Sequence, residues 1–171
     1  MLKLTFYLKQ ISEEILELRL FWGFRAVFLV LFGLILGSIL VPRNAGSEGA
    51  SILAVILLVL FAFIMVYDEK WIFDTDKGQV VHAHGILFVH RKTVYGKDEI
   101  SQLSVTEFRK GSIVKEEKRR YFQRDLLRLS MELKETQPKD IEISEKKNIT
   151  DLQGKAAAIA QFMNLPYHSD L

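Results

Sequence analysis

The chain has 171 residues, 49% of them apolar, a formal net charge of +2 and no cysteine. This length allows one domain beside any membrane portion. The small net charge excludes an ordinary nucleic-acid binder, which carries a larger basic excess. The lack of Cys excludes disulfides, thiolate metal sites and a Cys nucleophile. The apolar residues are unevenly spread, with two nearly uninterrupted blocks within residues 20–67 and most of the charge after them.

Residues 1–19 form the first segment. Glu13, Glu14 and Glu17 make it unlike a basic, acid-poor targeting peptide. Ile11, Ile15 and Leu18, with Leu16 and Leu20, fall at helical spacing, and Ser12 followed by two glutamates is a helix start. The pattern predicts an amphipathic helix, either lying at a membrane interface or extending the helix that follows.

The first apolar block, residues 20–41, would give about 33 Å of helix, enough for a hydrocarbon core of about 30 Å. Trp22 and Arg25 lie near one end, where an amphipathic ring and a snorkelling cation are tolerated. The second block, residues 50–67, carries no charge and ends at Tyr67. Between them PRNAGSEG, residues 42–49, breaks helix. The expectation is a two-helix transmembrane hairpin over residues 20–67. Lys3, Lys9, Arg19 and Arg25 on one side against Arg43 alone in the loop would place both termini in the cytoplasm, or in the stroma for a thylakoid.

After Tyr67 the period changes from helix to strand. Residues 70–74 read as a strand leaving the membrane, and Thr75-Asp76-Lys77-Gly78 as a turn. Residues 79–84 and 86–94 read as strands turning about Gly85, and residues 100–108 as a strand with a bulge. Leu127, Leu129, Met131 and Leu133 alternate strictly with Arg128, Ser130, Glu132 and Lys134, the signature of a strand buried on one face. Ile141 and Ile143 mark a last short strand. Leu152, Ala156, Ile159 and Met163 then form the core-facing stripe of a terminal helix. Residues 68–171 are therefore expected to be an α+β soluble domain: a bent antiparallel sheet of six or seven strands capped by one C-terminal helix.

Two apolar helices followed by Trp71, Phe73, Asp74, Gly78 and Val80 in the pattern W-x-F-D-x-x-x-G-x-V resemble the bacterial pleckstrin-homology-like membrane proteins. Asp98-Glu99-Ile100 and the terminal run from Ala160 through Phe162 and Asn164 to Pro166 fit the same layout. The layout is also similar to that of the photosystem I assembly factors of cyanobacteria and plastids. Their Gly-Phe-Pro-Gly run with following arginines would fall at residues 85–92, where this chain reads GILFVHRK. The resemblance implies a PH-like domain on a two-helix anchor that serves a membrane protein complex.

Two clusters carry potential chemistry. If the hairpin turns at Gly85, Val80 faces His90 and His82 faces Phe88, and His82, His84 and His90 share one face. His82 and His90 are then about 7 Å apart at Cα, and three imidazoles could hold zinc or copper or titrate together. Against this stands an ordinary solvated sheet face. Arg109, Lys110, Lys115, Lys118, Arg119 and Arg120 form a basic run suited to anionic lipid or an acidic partner, diluted by Glu116 and Glu117. No phosphate loop, nucleophile elbow or metalloprotease motif is present, so no enzyme and no cofactor are expected. The functional expectation is a membrane-anchored, non-enzymatic interaction domain, an assembly or stability factor for a membrane protein complex, photosynthetic complexes included. The alternative is a sensor of anionic lipid, metal or pH at the membrane surface.

Overall fold

The computed structural model describes residues 6–40, 52–86, 89–110 and 124–171. Its elements in chain order are β1 (Phe6–Gln10), β2 (Ile15–Leu20), α1 (Gly23–Leu40), α2 (Ile52–Val66), β3 (Tyr67–Asp74), β4 (Gln79–Ile86), β5 (Val89–Gly96), β6 (Ile100–Lys110), β7 (Arg124–Leu133), β8 (Lys139–Glu145), α3 (Ile149–Met163) and β9 (Tyr167–Asp170). Strands β1-β2-β3-β4-β5 form one antiparallel sheet. Strands β8-β7-β6-β9 form a second, in which only β9 runs parallel to its neighbour.

Residues 1–19 depart most from expectation. In place of an amphipathic helix they carry β1 and β2, with Leu8 opposite Leu18, and β2 pairs onward to β3, with Leu18 opposite Trp71. The sequence satisfies both periods over this stretch. Leu16, Leu18 and Leu20 alternate with Glu17 and Arg19 as a strand requires, and all three leucines are buried. Pairing with β3 decides between the two, because the β3 edge satisfies the backbone hydrogen bonds of β2 and places Leu18 opposite Trp71.

The expected transmembrane hairpin is also overturned. Residues 20–22, counted as helix from composition, belong to the end of β2 and a turn. What remains is α1 with 18 residues and α2 with 15, about 27 and 22 Å against a hydrocarbon core of about 30 Å. Among the described residues no helix is long and apolar enough to cross a membrane, so a two-span integral membrane localisation with both termini cytoplasmic is not supported. Nor do the helices precede the domain: they interrupt it, between the paired strands β2 and β3. Phe28, early in α1, meets Phe61, late in α2, edge-on at 5.5 Å, so the two run antiparallel as one arm. The 42–49 loop lies outside the described residues.

Among the described residues the fold has nine strands in two sheets, seven of them (β3–β9) from residue 67 onward and two, β1 and β2, added from the N-terminal segment, and it is closed by α3. Leu127, Leu129 and Met131 are fully buried, as are Leu152, Ala156, Ile159 and Met163, and all belong to one core with Leu18, Trp71 and Phe73. Leu133 is only partly buried at its margin. The expected bulge lies between Ile100 and Gln102. Asn164 ends α3 in the left-handed region at φ 49°, which Asn tolerates better than most residues. The chain then returns as β9 along β6.

This arrangement makes the N-terminal segment a structural part of the core. Leu18→Ala should cost about 2–5 kcal/mol, as much as Leu129→Ala, from lost transfer energy plus a cavity. Chemical denaturation of the full chain in mild detergent measures both. A neutral Leu18→Ala beside a costly Leu129→Ala would mean that the N-terminal strands are not integral to the sheet.

Candidate functional site

On the inner face of the five-stranded sheet, three strands lay their side chains in rows. Phe73, Val80 and Tyr95 stand across from one another; next come Trp71, His82 and Thr93; then Glu69, His84 and Arg91. Because residues two apart share a face, each row is one step further from the core, and the rows pass from apolar through aromatic to charged. The last row lies next to Tyr67, which follows directly on α2. The site therefore sits at the end of the sheet that adjoins the helical arm.

The side chains are held by specific contacts. His82 Nε2 is 3.0 Å from Glu69 Oε1, and the Tyr67 hydroxyl donates to Glu69 Oε2 at 2.9 Å. The His82 ring stacks on the Trp71 indole, with centroids 4.0 Å apart and planes 9° from parallel. The His84 ring follows at 4.9 Å. Beside this stack lies a cleft of about 330 Å³, lined by Trp71, His82, His84, Arg91, Thr93 and Tyr95 and, from β8, by Lys139 and Asp140. Within it the Trp71 Nε1 and His84 Nδ1 atoms are buried and hydrogen-bond to no described group.

The electrostatics follow from these contacts. The hydrogen bond from His82 holds the Glu69 carboxyl below its ordinary value of 4.5; burial opposes this, and the Tyr67 hydroxyl reinforces it. Tyr67 is pushed from 10.0 up to about 12, first by burial and then by donating to Glu69, whose negative charge disfavours a phenolate. Burial also raises Tyr95.

The expected histidine triad is not assembled. The β4–β5 register pairs Gly85 with His90 and His84 with Arg91, an odd shift from a turn centred on Gly85, and such a shift moves a side chain to the opposite face. His90 therefore points away from His82 and His84. Gly85 is a strand residue, and glycine is required there because a Cβ would overlap the Val89 carbonyl oxygen and the His90 backbone. Among the described residues no group of three His, Cys, Asp or Glu side chains could hold a metal ion. Of the basic run, Arg109 and Lys110 end β6 opposite Asp125 and Arg124. Lys115, Lys118, Arg119 and Arg120 lie outside the described residues.

Sequence reasoning missed Glu69, Trp71, Arg91, Thr93, Tyr95 and Lys139. The signal was present as three period-two series, but these align only once the register of β4 and β5 is known. The sequence matches no protein-family model and no curated protein.

Glu69 yields a pH prediction with a definite sign. Its folded pKa lies below the unfolded value, so its stabilisation is present above about pH 4.5 and is lost as pH falls through the folded value. The stability difference between wild type and Glu69→Gln should therefore be larger at neutral pH than in acid. Denaturation curves for both proteins across that range test it; a difference independent of pH would show that the ionised carboxylate is not what His82 and Tyr67 stabilise.

Proposed function

We propose that this protein is a non-enzymatic interaction module that serves as an assembly or stability factor for a membrane protein complex. The observation that carries this reading is the helical arm. Along α1 and α2, Leu34 is 66% exposed, Ile52 80% and Ile56 58%, and Val30, Leu53 and Phe63 are more than half exposed. Contiguous apolar surface on this scale marks a contact site on proteins that function in water. The arm is also fixed at its base. The Arg25 guanidinium donates to the Tyr67 carbonyl at 2.9 Å and to Asp68 Oδ1 at 2.6 Å, and Arg19 reaches Asp68 Oδ2 at 3.4 Å.

An apolar arm fixed to a folded β-domain is suited to inserting against the apolar surface of a partner while the domain stays at its margin. A membrane protein complex is the partner class richest in such surface.

The reading predicts that affinity purification of the full chain in mild detergent recovers a membrane protein complex. It also predicts that Leu34→Glu with Ile56→Glu abolishes recovery while leaving the stability of the β-domain within about 0.5 kcal/mol, since neither side chain belongs to its core. Purification without a partner, or recovery unaffected by the two charges, would overturn it.

A further inference from the structure

The cleft and the free edge beside it suggest a second contact of a different kind. Strand β5 ends its sheet: it pairs with β4, and among the described residues nothing pairs with its other side. Such an edge is a template for an added strand. On its inner face Arg91 and Thr93 border the cleft, and Lys139 faces them from the start of β8. Arg91 and Lys139 form no ion pair among the described residues. Of the two carboxylates near them, Glu69 is engaged by His82 and Tyr67, and Asp140 Oδ1 lies 3.8 Å from Arg128 Nε.

We propose that the cleft and the β5 edge together form a docking site for an extended acidic segment of a partner protein. The backbone of that segment would pair with β5. Its alternate side chains, two residues apart, would then fall on the cleft side in line with Arg91 and Thr93, where carboxylates meet Arg91 and Lys139. The register explains why the charge must alternate: the residues between point to the opposite face, beside Lys92 and Val94.

This inference is independent of the apolar arm. The test is fluorescence anisotropy with the full chain in mild detergent and a labelled peptide of alternating Glu and Val. A Lys–Val peptide and a Glu–Val peptide N-methylated along one edge serve as comparisons. Arg91 and Lys139 are exposed, so Arg91→Glu with Lys139→Glu leaves the fold intact. The double variant should weaken the Glu–Val peptide about tenfold or more and gain affinity for the Lys–Val peptide. N-methylation on the pairing edge should abolish binding. Equal affinity for the two peptides, indifference to the double substitution, or indifference to N-methylation would overturn the proposal. So would full displacement by free glutamate or inorganic phosphate at the peptide's own concentration, which would make the cleft a small-anion site. Binding to phosphatidylglycerol vesicles lost on the same substitutions, with no peptide binding, would likewise reassign it to lipid.

Discussion

Everything distinctive in this protein depends on β2 and β3 being hydrogen-bonded neighbours although residues 21–66 intervene between them. Their pairing, from Ile15 opposite Asp74 to Arg19 opposite Lys70, forces the chain to leave the sheet and return at one place. Two antiparallel helices meet that condition, because the start of α1 and the end of α2 then lie side by side at the sheet, where Arg25 reaches the Tyr67 carbonyl. Asp68 secures the junction by accepting from Arg25 at the foot of α1 and from Arg19 at the end of β2. At 15% exposure its side chain is partly shielded from water, so these charge-assisted bonds are stronger than a surface ion pair.

The second sheet closes over the first by a different device. Helix α3 supplies an apolar stripe to the core, yet Lys155 on that helix is also buried, between Glu142 of β8 at 3.2 Å and Asp151 at 2.8 Å. Burial raises the Glu142 pKa in spite of the lysine, as expected where desolvation outweighs the attraction between two charges. Such a pair adds little net stability. Its geometric demand is strict, however, because any slip of α3 along β8 would leave the buried Glu142 carboxylate unpaired and Lys155 with only Asp151 of its own helix. It therefore fixes register where the apolar stripe alone would permit sliding.

The sequence was most informative where one element's pattern decides its own structure. The alternation from Leu127 to Leu133, the stripe from Leu152 to Met163, the Gly78 turn and the β6 bulge each depend on residues within a few positions. It misled where the deciding partner is distant. Ile11, Ile15 and Leu18 fit a helix while Leu16, Leu18 and Leu20 fit a strand, and only pairing with Trp71 and its neighbours decides between them. Trp71 itself, in sequence only one residue of a strand leaving the membrane, is 1% exposed and stacked on His82. Gly85 looks like a turn from its identity and is a point of close backbone approach in space. The cleft was illegible for the same reason: one residue of register decides whether His90 or Arg91 faces it. Helices lie within both apolar blocks, but composition does not show where the sheet ends: Leu20 belongs to β2, Tyr67 to β3, and among the described residues no helix is long and apolar enough to cross a membrane.

Strand β3 connects the two exposed surfaces through its own alternation. Asp68 points to one face and holds the base of the arm. Tyr67 and Glu69 lie on either side of it, joined by the hydroxyl-to-carboxylate bond, and Glu69 in turn orients His82 over Trp71. The positions are consecutive, so a rotation of β3 at the foot of α2 cannot alter the Asp68 contacts without also moving Tyr67 and Glu69. The backbone resists such rotation, because β4 pairs with all three positions and β2 holds the strand from Lys70 onward. Among the described residues, the side-chain bonds at this end of the strand therefore join the base of the arm to the cleft. Coupling carried by them is bounded by their strength, each bond being worth about 0.5–3 kcal/mol.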